Sequence, residues 1–274
     1  MELDDLLASE IALPSIPRVV ALLMLELDKD ESDLRRITQL ISTDPALTAR
    51  LLQLANSAFF HLERRVNGVA EALAVLGLNH VRTLVSAAAV GGAFRGVAGI
   101  NLQQFWRYSL DTAKVSRILA GVVRQNPSAA FTSGLLHAVG ELAMHMGMPR
   151  DMALLNLEHG PLDLKRARSE RKRLGFCYAQ VSSGFARKWQ FPAAIVDALE
   201  YQIAPFENEV YEPLAGVIHL ASWRTRAKEA GFTDRELAVT FPDTVGLALE
   251  LDIDMVLQQD PIDWTTPQEV GAFV

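Results

Sequence analysis

No stretch of this chain alternates apolar and polar residues in steps of two between turn signals, and that absence removes every sheet-based fold. What recurs instead is apolar spacing of three and four, restarted at prolines. Behind the rigid entry Leu13-Pro14-Ser15-Ile16-Pro17, residues Val19, Val20, Leu22, Leu23 and Leu27 line one helix. Ser32 or Asp33 can cap the next, over Leu34, Ile37, Leu40 and Ile41. Asp44-Pro45 is the sharpest start of all. An acceptor side chain at the cap is followed by proline at the first helical position, where its missing N–H costs nothing. From there Leu47, Leu51, Leu54, Ala55 and Ala58 share a face as far as Phe59-Phe60. Gly77 stops a short helix over 69–76, and Asn79 opens another through Val81, Leu84, Val85 and Ala88. Further helices are expected near 102–120, 129–146, 150–158, 162–174, 177–188, 192–203 and 213–229, with Pro127, Pro149, Pro161, Pro192 and Pro213 at or near their starts. The fold class is all-α.

A helical chain of 274 residues can bury a core without disulfides or a structural metal. Its one cysteine, Cys177, excludes an internal disulfide framework and any cysteine-based zinc cluster within one chain. The start, Met1-Glu2-Leu3-Asp4-Asp5, lacks the basic region of a secretory signal. The longest strongly apolar stretch without charge, residues 83–94, falls short of the ~20 residues a membrane span needs. These features predict a cytoplasmic protein with no membrane contact. Gly91-Gly92, Gly96 and Gly99 suggest a joint between two helical lobes near 92–101.

The net charge of −7 argues against a general nucleic-acid binder, but it hides an asymmetry. From Glu229 to the end there are ten acids and one base, giving −9 and leaving about +2 for residues 1–228. Within that body Lys165, Arg166, Arg168, Arg171, Lys172 and Arg173 face only Asp163 and Glu170 in the run 163–173. On a helix Lys165, Arg168 and Lys172 form one stripe, with Arg166 and Arg173 on a neighbouring one. Such a face can bind an anionic second messenger, nucleic-acid phosphate or an acidic partner; it can equally be a solvated helix balancing the acidic tail. No aromatic residue interleaves the basic ones for base stacking, so nucleic acid is not expected.

Several segments, in order, resemble the HDOD domains, bacterial signalling modules related to the HD-type metal-dependent phosphohydrolases. They are Leu13-Pro14-Ser15-Ile16-Pro17, the run Asp44-Pro45-Ala46-Leu47-Thr48-Ala49-Arg50 through Asn56-Ser57-Ala58-Phe59-Phe60, and Ala70 to Leu78 with Val81-Arg82. Phe105-Trp106-Arg107-Tyr108-Ser109, Gly134-Leu135-Leu136-His137, Trp189-Gln190-Phe191-Pro192 and Ile218-His219-Leu220-Ala221 follow. The resemblance covers about residues 13–226 and implies an HD-domain, phosphodiesterase-like helical fold with an N-terminal helical lobe. The expected division is an HDOD-like domain over 1–228 (lobes 1–95 and 100–228) and an acidic helical extension over 229–274.

The resemblance also implies where an inherited metal site would lie. The His-Asp doublet position reads His137-Ala138, and a methyl group cannot ligate a metal. The preceding family histidine is Tyr108, the distal aspartate is Ser222, and Tyr201-Gln202-Ile203 replaces histidines after the Trp-x-x-Pro segment. One imidazole cannot retain a divalent ion against water, so the chain is expected to be no enzyme, with His137 and Ala138 a vestige and no cofactor. Within the predicted 129–146 helix, His137, Glu141 and His145 fall on one stripe, whose adjacent pairs could chelate zinc. The competing reading keeps His137 as a packed relic, with Glu141 and His145 near the surface. Asn56 reads as a local hydrogen-bonding device, or as a ligand contact. His219 reads as a satisfied core histidine. Cys177, near a helix start and downstream of Arg171, Lys172 and Arg173, could have a lowered thiol pKa, but nothing in the sequence supplies it a base.

The expectation is therefore a non-catalytic signal-transduction module that binds proteins or a second messenger. Its implied partners are sensor kinases, response regulators or cyclic-dinucleotide enzymes acting in trans, with Lys165, Arg168, Arg171 and Lys172 the candidate contact. The alternatives are a residual metal-dependent phosphohydrolase acting on a nucleotide, and a nucleic-acid-binding regulator.

Overall fold

The structure, a computed structural model, describes residues 1–90 and 96–258. The described residues form sixteen α-helices and one 3-10 turn, and none of them is in a strand. Of the glycine joint expected near 92–101, residues 92–95 lie outside the described residues, as does the end of the acidic tail.

The first half holds α1 (Leu3–Ala8), α2 (Pro17–Leu27), α3 (Leu34–Ile41), α4 (Pro45–Ala55), the 3-10 turn Ala58–Phe60 and α5 (Val69–Val90). Asp33, not Ser32, caps α3 by accepting from the amides of Arg35 and Arg36. Asp44 caps α4 as its sequence predicts, and also reaches further. One carboxylate oxygen accepts from Leu47 N at 2.9 Å and the other from Ile16 N at 2.6 Å, tying the entry strap to the start of α4. Asn56 reaches across the loop after α4 and is not confined to its own helix end. Its amide group holds both backbone groups of Val66, at 2.8 and 3.2 Å. Gly77 takes φ 68°, ψ 170°, a conformation open to glycine, and breaks α5 where the sequence placed a stop. By length and composition α5 is apolar enough to cross a membrane. That kink interrupts it, and Leu73, Leu76, Val81, Val85 and Ala88 join the core.

The second half runs through α6 (Leu102–Val122), α7 (Pro127–Leu136), α8 (Val139–Gly147), α9 (Pro149–Glu158), α10 (Arg166–Leu174), α11 (Tyr178–Lys188), α12 (Ala193–Tyr201) and α13 (Pro213–Glu229). Two boundaries differ from expectation. The single helix predicted over 129–146 is two helices, broken at His137-Ala138. Helix α10 starts at Arg166, after a turn that contains Pro161, so this proline does not open a helix. The acidic tail adds α14 (Asp234–Thr240), α15 (Asp243–Ala248) and α16 (Ile253–Gln258).

The largest apolar cluster joins both halves: Leu47, Leu51 and Leu52 share it with Phe105, Leu119, Ile195, Leu199 and Ile218. Leu237, Val245, Leu249, Leu251 and Val256 of the tail are buried in the same cluster, while Leu247 stays exposed. A second cluster gathers Met144, Met148, Met152, Phe176, Tyr178 and Phe185. Helix α1, which no sequence signal announced, plugs Leu6 into it. Room for that plug comes from glycines: a Cβ at Gly147 would lie 2.4 Å from Leu6, and one at Gly184 2.5 Å from Leu7.

Candidate functional site

The α7–α8 break is where the helical core turns polar. His137 is fully buried there, and its backbone carbonyl accepts from Ser182 Oγ at 3.1 Å and Gln202 Nε2 at 3.0 Å. Ser182 Oγ in turn accepts from Gly140 N at 2.9 Å. These bonds take the groups that a continuous helix would have paired, and so stabilise the break. Gly140 permits the approach of α11, since a Cβ on it would lie 2.1 Å from the Tyr178 carbonyl.

The His137 ring donates from Nδ1 to the Gly134 carbonyl at 2.7 Å, because a carbonyl can only accept. That fixes the tautomer, and Nε2 is a buried lone pair with no hydrogen-bond partner. Tyr108 packs edge-on against the imidazole with ring centroids 4.9 Å apart. From α13 the buried Arg226 spans the space between helices, donating Nε–H to Tyr108 Oη and Nη2–H to Tyr178 Oη, each at 2.9 Å. Burial drives the His137 pKa down to about 3, and the Arg226 charge pushes the same way against the Gly134 bond. His137 is neutral at any ordinary pH.

A second buried layer lies beyond Tyr178. Arg166, predicted on the basic surface, is fully buried, because its charge is matched from inside. Its Nε donates to Glu170 at 2.8 Å, its Nη1 to Asn156 and the His159 carbonyl at 2.8 and 2.7 Å, and its Nη2 sits 2.7 Å from Glu141. Glu141 and His145, predicted near the surface, are likewise buried. Burial and the neighbouring Glu170 charge hold the Glu141 carboxyl well above its usual range. Both His145 nitrogens are occupied, Nδ1 donating to the Glu141 carbonyl at 2.8 Å and Nε2 accepting from Asn156 at 3.1 Å. The zinc stripe is thereby dissolved: the helix break separates His137 from the others, and Arg166 claims Glu141. No group of three or more His, Cys, Asp or Glu converges as a metal shell among the described residues.

The remaining candidates separate cleanly. His219 donates Nδ1–H to the Gln202 carbonyl at 2.7 Å, and burial lowers its pKa. Ser222 turns back on its own helix, to the His219 carbonyl. Cys177 caps α11 in full burial, which raises its thiol pKa and outweighs the Arg171 charge. The lowered pKa allowed by sequence does not occur. Lys165, Arg168 and Lys172 are exposed, while half-buried Arg171 lies 3.8 Å from Glu207 and Arg173 3.3 Å from Glu158. The residues that sequence reasoning missed are Arg226, Tyr178 and Arg166. Arg226 had one signal, its place one turn after Ser222, the position matched to the family's distal aspartate.

With the geometry in view, the family model of the HDOD domain matches residues 13–205. An uncharacterised protein of Treponema pallidum is 23% identical over 217 residues, covering 78% of this chain and 42% of its own length. The chain thus spans under half of the curated relative it matches. Among solved structures, the MmoQ response regulator of Methylococcus capsulatus is similar at TM-score 0.72 and 22% identity, over 90% of this chain and 97% of that one. A virulence factor of Campylobacter jejuni is similar at TM-score 0.72 and 20% identity, over 95% and 94%. A Shewanella amazonensis protein, named provisionally as a phosphohydrolase, reaches TM-score 0.56 and 27% identity over 99% and 96%.

Proposed function

From the premise that this chain belongs to the HDOD domain family, we propose that it is a non-catalytic signalling module that works by binding. The observation that carries this reading is the buried Arg226 guanidinium bridging Tyr108 and Tyr178 beside His137. A catalytic divalent ion needs several lone-pair or anionic donors converging on one point. Here the one free imidazole nitrogen has a phenol ring and a permanent cation for neighbours, and a second cation in that field is repelled. The donor set does not fit a metal. The polar groups that remain hold helices together, through the His137 carbonyl and the two tyrosine hydroxyls.

The signalling part of the reading is supported by the family and by the name of the Methylococcus neighbour. The surface offered for contact is the outward stripe of α10, where Arg168 and Lys172 are exposed and have no ion pair among the described residues. Partners suited to it are signalling proteins presenting an acidic face, such as sensor kinases, response regulators or cyclic-dinucleotide enzymes. Affinity capture from the native cell tests this assignment. The pair Arg168→Glu with Lys172→Glu should lose the captured partner while the fold survives, since surface changes cost under ~0.5 kcal/mol each. An unchanged set of captured proteins would remove α10 from the account.

The second reading, a residual phosphohydrolase, is favoured by the likeness to the Shewanella protein. It requires metal-dependent turnover of a phosphodiester, which the first reading forbids.

A further inference from the structure

The outward stripe of α10 is convex; the concave feature with binding chemistry lies elsewhere. A crevice of about 360 Å³ opens between the strap after α1 (Ser9 to Leu13), helix α4 and the end of α11. We propose that this crevice binds a small organic anion with a flat, largely apolar body.

Two cations from different helices line it, Arg50 of α4 and Lys188 of α11. Each is steadied by one backbone carbonyl of the N-terminal segment: Arg50 Nη2 donates to Leu13 O and Lys188 Nζ to Leu7 O, both at 2.9 Å. The same segment that walls the crevice therefore positions its charges. Arg50 also feels the buried Asp44 carboxylate, but neither cation has a further hydrogen-bond partner among the described residues, so each keeps N–H groups for an incoming anion. Glu10, exposed at the rim, is the single acid in the lining and leaves the site net positive. Beside the charges, on the same two helices, the lining is apolar. Trp189 is braced by Phe185 with ring centroids 5.3 Å apart, and Ala46 and Ala49 keep the α4 side shallow.

Charges set beside ring and methyl surface select an amphipathic anion over a bare ion or a hydrocarbon. The volume lies at the small end of ligand pockets, the scale of one nucleotide or one aryl carboxylate and well short of a peptide. These two compound classes share the recognised chemistry, an oxyanion beside a planar body. A ligand held there would bridge the strap, α4 and α11, elements from both halves of the chain. The inference is independent of the α10 surface and of the state of the His137 region.

The test uses the intact chain and anilinonaphthalene sulfonate, a fluorescent aryl anion. It should bind saturably at one per chain and be displaced by adenosine monophosphate or by naphthoate, the two arms separating a nucleotide from an aryl carboxylate source. Lys188→Gln, at an exposed position, should weaken binding about tenfold, as loss of one charge-assisted contact does. Gln53→Trp, which fills the mouth from an exposed position of α4, should abolish it. Both variants should melt as the wild type does. Non-saturable fluorescence, wild-type affinity in either variant, or displacement by neither competitor would overturn the proposal.

Discussion

At the scale of single residues, Arg226 matters most, because its charge is buried and its partners are neutral. Removing it strands two phenol hydroxyls, each costing about 1–3 kcal/mol when left unpaired. Arg226→Met should therefore destabilise the protein by about 2–4 kcal/mol in denaturant unfolding. Adding Tyr108→Phe and Tyr178→Phe should recover much of that, since replacing both sides of a buried polar contact is far cheaper than replacing one. Failure of the triple variant to recover would mean the hydroxyls matter for something other than the guanidinium.

His137 makes a pH prediction of definite sign. Its folded pKa, about 3, lies below the unfolded value near 6.5, so between those values the unfolded chain binds the extra proton. Its contribution is complete above pH 6.5 and is lost as pH falls, by about 1.4 kcal/mol per unit. Asp44 and Asp111, both pushed up to about 6 by burial, pull the wild-type profile the other way, so the comparison must be between proteins. Stability of wild type minus His137→Asn should shrink by about 2–3 kcal/mol between pH 7 and pH 4.5. A constant difference would place a proton on His137 in the folded state. Of this residue-scale picture the sequence pointed to His137 and Ala138, but not to the guanidinium beside them. An arginine in a helix end rich in Arg and Lys looks solvated until the tyrosines that receive it are in place.

At the scale of elements, legibility followed the local determinants. Asp44-Pro45 and Gly77 act through their own backbone, so the start of α4 and the kink in α5 could be read directly. The α7–α8 break could not, because its cause is distant: Ser182 and Gln202 seize the His137 carbonyl from forty-odd and sixty-odd residues away. For the same reason Arg166 read as one more surface charge in a basic run. Its partners Glu141 and Asn156 belong to other helices, and only the packed structure brings them to it. The α8–α11 contact offers a sharp check. Gly140→Ala places a methyl against the Tyr178 backbone, which cannot rotate away, and should cost about 1–3 kcal/mol or more. Because α11 carries Tyr178 and Ser182, the same change should also perturb the His137 environment, visible as a shifted imidazole resonance. A silent substitution would mean the two helices slide freely.

At the scale of the whole molecule, the acidic tail is attached to the core and not to the surface alone. Five of its apolar residues are buried in the largest cluster, and Thr240 accepts from the Trp223 indole at 3.1 Å. Each buried aliphatic side chain is worth about 1.5–3 kcal/mol, reduced by the cost of ordering the segment. Deleting 233–274 should leave a folded, soluble chain with a clearly lowered Tm, because the family match ends at residue 205. An insoluble product would make the tail part of the minimal fold. The tail's run of aliphatic residues is a local signal for such docking, since burial of an amphipathic segment needs no distant polar partner to be guessed.

The proposed non-catalytic role rests on the guanidinium and phenols that surround His137. Elemental analysis tests it most directly, on wild type and Ala138→Asp incubated with excess manganese, desalted without chelators, and assayed on a phosphodiester. The account predicts well under one metal per chain and no turnover in both, because the revertant adds one carboxylate beside His137 while Tyr108, Ser222 and Arg226 stay in place. Stoichiometric metal retained by the wild type, with hydrolysis that follows it, would contradict the account.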